Sequence, residues 1–217
     1  VAGKGHEKFQ NFWKYKIKFS DKKVIKDSIK LNKIFLNNYN WKFNILKNSI
    51  KQKKLKSFKF QGFSINSNKI KKNNLFIALS GKKKDGHDYA KHAIKKGAVK
   101  ILVHRKLNKI KINKKIRVLN TFKTLNKIGF NTRTSSSAKI IGITGSSGKT
   151  TLKNMLSDML LNYGEVQCSP LSYNNHYGVP LSLSNLEQNT KYGVFEIGMS
   201  QKEEIKKLSK IMRPHIA

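Results

Sequence analysis

Residues 138–164 read AKIIGITGSSGKTTLKNMLSDMLLNYG, and the order of residue types in this stretch decides the architecture. The apolar run Ile140 to Ile143 reads as a buried strand that enters a loop holding Gly145 and Gly148. A helix follows, with Leu152, Met155, Leu156, Met159 and Leu160 spaced along one face until Gly164 stops it. Strand, glycine loop, Lys-Thr and helix in that order suit an anion. Glycines let successive backbone N–H groups turn inward, and the helix N-terminus adds its partial positive charge. Lys149 is placed to reach terminal phosphates and the Thr150 hydroxyl to hold Mg²⁺. The common phosphate-loop spacing puts a glycine where Ile143 stands, so what remains is the shorter TGSSGKTT. Its residues Thr144, Gly145, Ser146, Ser147, Gly148, Lys149, Thr150 and Thr151 are the candidate nucleotide-binding set.

A magnesium nucleotide site also needs a carboxylate, and the C-terminal end of a neighbouring strand is a natural place for one. The run YGVFEIGMS, residues 192–200, supplies Glu196 between Phe195 and Ile197. An acid inside an apolar strand is costly to bury unless it is paired or binds a cation. Between these motifs, YNNHYGVP at residues 173–180 reads as a loop with tandem asparagines Asn174 and Asn175, then His176.

Upstream, the pattern predicts a second α/β unit. An alternating run from Phe58 to Ile65 and the apolar strand Leu75 to Leu79 come first. A helix capped by Asp88 and carrying Tyr89, Ala90, Ala93 and Ile94 follows, stopped by Gly97, and then the strand Val99 to Val103. A strand near Ile116 to Leu119 and a helix capped by Thr121 complete it, and the serines 135–137 mark its exit. The expected fold class is therefore α/β: a small N-terminal α/β domain over residues 58–137, then an incomplete P-loop-type parallel-sheet domain over 138–217. Residues 1–37 form a separate opening segment, with a loop and then a strand through Phe12, Tyr15, Ile17 and Phe19. Residues 38–57 read as a polar linker entering a short helix. Val1 in place of a methionine, and an apolar segment just beginning after Pro214, read as cut ends.

The 217 residues carry a formal charge of +35, which suggests nucleic acid. Its distribution argues otherwise. Residues 140–217 hold eight Lys/Arg and six Asp/Glu, leaving 38 and five to residues 1–139, and only four of the basic residues in the whole chain are arginine. Arginine is the usual reader of bases, so the lysine excess reads as solvated surface and nucleic acid is disfavoured as a partner. No apolar run reaches the length of a membrane span, and the single cysteine, Cys168, excludes an internal disulfide and fits a reducing cytoplasm.

ITGSSGKTT (143–151), NNHYGVPLSL (174–183), FEIGMS (195–200) and RPHIA (213–217), in this order, resemble the ATP-dependent Mur ligases of bacterial cell-wall synthesis, and most of all the branch that adds a dipeptide. NNLFIALSGKKKDGHDYAKHAIKKGA, residues 73–98, resembles the N-terminal domain of that branch through Asp85, Gly86 and His87. The resemblance implies ATP and Mg²⁺ as cofactors, with Lys149 on the β- and γ-phosphates and Thr150 and Glu196 on the metal. It implies a UDP-linked muramoyl peptide and D-alanyl-D-alanine as substrates, joined through an acyl phosphate, with Ser67, Asn174, Asn175 and His176 facing the substrate cleft. The chain departs from the family where Asn66, Ser67 and Asn68 replace a frequent Asp-Ser-Arg, and where Glu203 replaces a frequent glycine at a place expected to lie on a helix. The opening AGKGHEKFQ resembles instead the C-terminal region of the diaminopimelate-adding branch, with Gly3 and Glu7 implied as amino-acid contacts. That order implies the tail of one ligase joined to the start of another.

Overall fold

The computed structural model describes residues 9–12, 15–18, 21–52, 54–81, 84–170, 173–200 and 202–217. The chain divides into two compact units, Val1–Tyr39 and Asn40–Ala217. Strands β1 (Phe9–Phe12) and β2 (Tyr15–Lys18) in the first unit pair antiparallel, Phe9 opposite Lys18, where a single strand was expected. The AGKGHE opening lies outside the described residues.

Helix α1 runs from Asp21 to Ile50. Residues 38–57 are thus mostly not a linker: through residue 50 they are the second half of a long helix. Their few apolar residues explain why. Phe43 and Leu46 fall one turn apart and both are buried, with Ile45 beside them, so sparse anchors on a lysine-rich background are enough to commit a helical face to the core. Lys42 is buried too, and its Nζ donates to the carbonyl of Gln61 at 2.7 Å. Burial holds its pKa below the ordinary lysine value, opposed by the charge of Glu187.

Four parallel strands follow in the order β3 (Gly62–Ser64), β4 (Asn74–Ile77), β5 (Lys100–Val103) and β6 (Lys115–Arg117). The two-residue alternation divides their side chains between two cores. Phe63, Leu75, Ile77, Leu102 and Ile116 face Phe43, Leu46, Leu125 and Ile128. Phe76, Ala78, Ile101 and Val103 face Ala90 and Ala93 on the short helix α2 (Ala90–Lys95). Asp85, rather than the expected Asp88, is the cap here: its side chain accepts from the His87 N–H and starts a 3-10 turn over Gly86–Tyr89, which runs into α2. Helix α3 (Thr121–Ser135) is likewise capped one residue earlier than expected, by Asn120, whose side chain accepts from the Lys123 N–H.

The second sheet has the order β7 (Lys139–Ile143), β9 (Tyr192–Glu196), β8 (Val166–Cys168), all parallel. Helix α4 (Lys149–Leu161) connects β7 to β8, α5 (Gly178–Ser184) lies between β8 and β9, and α6 (Glu204–Met212) follows β9. After α6, Ile216 bridges Ile141 in parallel on the outer edge of β7. Every residue of α5 is buried, since it packs against α3 and shares one core with Ile140, Phe195, Leu208 and Met212. Two polar contacts fix the packing between the sheets. Asn185 exchanges hydrogen bonds with the backbone of Phe63 at 2.8 and 3.0 Å, and buried Arg133 donates to the carbonyls of Met212 and Arg213 at 2.8 and 2.7 Å. The residues either side of position 137 thus lie in one compact unit that contains two sheets.

Candidate phosphate-binding site

The loop from Thr144 to Gly148 leaves the C-terminal end of β7, and α4 starts at Lys149. Gly148 caps α4 with φ 73° and Gly145 has φ 144°, backbone conformations that a side chain would strain. The Lys149 ammonium folds over the loop and donates to the carbonyl of Gly145 at 2.6 Å. Thr144, Ser146, Ser147, Thr150 and Thr151 are exposed around it. A ring of exposed N–H and hydroxyl groups at the N-terminus of a helix of this length is a ready anion site.

Glu196 is the last residue of β9 and pairs with Ile143, the residue before the loop. It is 1% exposed, and the Lys153 ammonium lies 3.0 Å from its Oε1, outside the direction of a hydrogen bond. The acid is therefore both paired and set directly beside the glycine loop. The expected apolar face of α4 is corrected here. Leu152, Met155 and Met159 are exposed, and the side turned to the sheet carries Lys153 and Ser157. Lys149 and Lys153 are one turn apart, so the rotation of α4 that places the first at the loop brings the second onto Glu196. Lys153 is the residue that the hydrophobic pattern missed. Its signal was its spacing of four from Lys149.

The loop 173–177 adjoins this end of the sheet, because the Gly198 N–H donates to the Asn174 carbonyl at 2.6 Å. Asn175 shapes the loop from within. Its Oδ1 accepts from the N–H groups of Tyr177 and Gly178 at 3.0 and 2.9 Å and so starts α5. Gly178 is required by space, since a Cβ there would lie 2.6 Å from the Tyr173 backbone. His176 is exposed, its ring tilted against Tyr177 and edge-on to Phe122, ring centroids 4.1 and 5.9 Å away. Ser67 is buried in the 3-10 turn Ser67–Lys69 that follows β3, and the Lys69 ammonium sits 5.6 Å above the Tyr173 ring. The fold thus sets the turn of Ser67 beside the loop of Asn174 to His176, and that loop beside the strand end of Glu196.

Glu203 is not inside a helix. It caps α6 with φ 65°, which accounts for glycine as the less strained residue there.

Two family descriptions match the chain. The Mur ligase middle domain covers residues 143–217, and the catalytic domain of the Mur ligase family covers residues 59–128. The chain belongs to the Mur ligase family. It is 41% identical over 152 residues to the UDP-N-acetylmuramoyl-tripeptide–D-alanyl-D-alanine ligase of Rickettsia prowazekii, covering 70% of this chain and 34% of that protein. It is 33% identical to the ligase of the same name from Bacillus subtilis, over 72% of this chain and 34% of that one. Among solved structures, it is similar to the UDP-N-acetylmuramoylalanyl-D-glutamyl-2,6-diaminopimelate–D-alanyl-D-alanyl ligase of Acinetobacter baumannii. There the TM-score is 0.69 at 27% identity, covering 80% of this chain and 40% of that one. It is also similar to the MurF ligase of Thermotoga maritima in complex with ADP, with TM-score 0.59 and 34% identity over 71% and 36% of the two chains. The chain spans about a third of the length of the curated relatives it matches.

The middle-domain match includes the whole loop Thr144–Thr151, Lys153, Asn174 to His176 and Glu196, while Ser67 falls in the other match. Among the described residues no group of three or more His, Cys, Asp or Glu could hold a metal ion, so a metal here would need hydroxyl and phosphate oxygens beside Glu196. No described helix is long and apolar enough to cross a membrane.

Proposed function

We propose that residues 40–217 form the part of a dipeptide-adding Mur ligase that grips the phosphates of ATP and begins the cleft for its UDP-linked muramoyl tripeptide. The observation that carries this reading is Glu196, a buried acid registered against the residue that opens a glycine loop.

A carboxylate carbon is a poor electrophile. Transfer of the γ-phosphoryl group of ATP to a carboxylate oxygen, with ADP leaving, converts that oxygen into a good leaving group. The amine of D-alanyl-D-alanine then attacks the acyl carbon and inorganic phosphate departs. The protein's share is positioning and charge neutralisation. In this reading the N–H groups from Gly145 to Gly148 cradle the phosphates, and Lys149 exchanges the Gly145 carbonyl for phosphate oxygens. The residues fit a magnesium ion, since a buried carboxylate oxygen without a hydrogen bond and the exposed Thr150 hydroxyl are hard oxygen donors at the same end of the sheet. When bound, Mg²⁺ would neutralise charge on the transferring phosphoryl group. In this reading Asn174, His176 and the turn of Ser67 serve the substrate, whereas Asn175 acts by holding the loop in shape.

The relatives' names support D-alanyl-D-alanine as the incoming dipeptide, and the bacterial cytoplasm as the compartment follows from UDP-linked substrates. For residues 1–37, we propose the end of a diaminopimelate-adding ligase joined ahead of the second enzyme. A unit boundary at Tyr39 and family matches that start at residue 59 support that division.

The purified chain, given ATP, Mg²⁺, UDP-muramoyl tripeptide and D-alanyl-D-alanine, is expected to bind nucleotide and to release no pentapeptide product by mass spectrometry. A chain of about a third of the relatives' length that ligates unaided would overturn this division of labour.

A further inference from the structure

The face of α4 turned toward the sheet carries a charge for which the phosphate-loop reading has no use. Lys153 is 2% exposed, and its Nζ lies 3.0 Å from Oε1 of Glu196 and donates to the Ser169 carbonyl at 3.0 Å. The Glu196 N–H in turn donates to Ser169 Oγ at 3.3 Å. A lysine withdrawn from water gives up strong hydration and side-chain freedom, so it persists only where fixed acceptors replace the water. Here the Ser169 carbonyl, just after β8, accepts the hydrogen bond and the Glu196 carboxylate, closing β9, supplies the opposite charge. The ammonium therefore ties the carboxylate of Glu196 to α4, the helix whose first residues form the phosphate loop.

We propose that Lys153 is a positioning residue that presents the Glu196 carboxylate to the metal and makes no contact of its own with nucleotide. The inference rests on the phosphate-loop reading above. Glutamate has several rotatable bonds, whereas Mg²⁺ accepts only near-octahedral ligand directions. The ammonium, held by the Ser169 carbonyl at 3.0 Å from Oε1, restrains rotation of the carboxylate and so fixes the directions its oxygens offer. A competing effect has the opposite sign. A cation beside a metal ligand repels the ion, so charge alone would make loss of Lys153 tighten metal binding. The sign of the change separates the two.

The test uses the 217-residue chain as wild type, Lys153→Met, Glu196→Gln and the double variant. Mn²⁺ binding is read by electron paramagnetic resonance with a non-hydrolysable ATP analogue present, and analogue binding without metal by calorimetry in chelator. Lys153→Met is expected to weaken Mn²⁺ about 10- to 100-fold, the range found when a residue that orients a metal ligand is lost. Metal-free analogue binding should stay within about twofold, and the double variant should bind Mn²⁺ within about twofold of Glu196→Gln alone, since Lys153 acts only through that carboxylate. Mn²⁺ binding by Lys153→Met that is unchanged or tighter overturns the proposal. Should that variant fail to fold, the comparison of Glu196→Gln with the double variant decides, because the double variant leaves no unpaired buried charge: a further loss in the double variant shows that Lys153 acts independently. A wild-type chain that takes up no Mn²⁺ with the analogue removes the phosphate-loop reading itself, and the inference with it.

Discussion

Oδ1 of Asp85 accepts two hydrogen bonds from His87, one from its backbone N–H at 2.9 Å and one from its ring Nδ1–H at 2.6 Å. The other ring nitrogen, Nε2, accepts from the His104 N–H at 3.2 Å, so the DGH segment is a clamp between the turn after β4 and the end of β5. Burial alone would raise the Asp85 carboxyl. The hydrogen bonds from His87 and the charge of Arg105 outweigh it and hold the group below its ordinary value. A carboxylate lowered in the folded state adds stability that is present above the unfolded value of about 3.9 and is lost as pH falls through the folded one. Asp85→Asn is therefore expected to cost about 1 kcal/mol in urea unfolding at neutral pH, with the deficit shrinking below about pH 4. A deficit that is the same at pH 3 as at pH 7 would show that the carboxylate charge is irrelevant to the clamp.

Leu46 is fully buried on α1 within the core of the first sheet. Leu46→Ala is expected to destabilise the chain by about 2–5 kcal/mol in denaturant unfolding. A residue in a polar linker would change stability by less than about 0.5 kcal/mol, and that result would remove α1 from the core.

Glu203 holds φ 65° at the start of α6, with an exposed ion pair to Lys206 at 2.9 Å. Relief of the left-handed strain, about 1 kcal/mol, outweighs an exposed pair and the greater freedom that glycine brings to the unfolded chain. Glu203→Gly is thus expected to raise the melting temperature by a few degrees, and a lower one would contradict the backbone assignment.

Two serines in α5 separate a satisfied hydroxyl from an orphan. Ser184 Oγ donates to the Pro180 carbonyl at 2.7 Å, whereas Ser182 Oγ is buried without a hydrogen bond. Ser182→Ala is expected to be neutral or stabilising and Ser184→Ala to cost about 1 kcal/mol, each read from chemical denaturation. The reverse order would contradict this packing.

Most of the strands, the parallel sheet of residues 138–217 and the glycine loop ahead of α4 were legible because each rests on local chemistry: apolar runs of strand length, glycines where φ is positive, and a Lys-Thr pair at a helix start. What escaped depends on tertiary partners. Residues 38–50 of α1 looked like a linker because their polar residues outnumber their anchors, and the few anchors suffice only once Phe60, Phe63 and Leu75 are in place to receive them. The face of α4 was misassigned because Leu152, Met155 and Met159 form the apolar stripe, while the pairing of Lys153 with Glu196 joins residues 43 positions apart and leaves no periodic trace. Glu203 was misplaced by one residue, capping α6 instead of lying in it, and only the backbone angle reveals why glycine would suit it.

We propose that the loop from Gly145 to Gly148, with Lys149, grips a nucleoside triphosphate. Calorimetric titration of the folded chain with Mg-ATP, alongside Lys149→Ala, tests it most directly. Saturable heat with one site per chain, abolished in a variant that keeps the wild-type circular dichroism spectrum, is the predicted result. Equal heats from both chains, or none from the wild type, would contradict it.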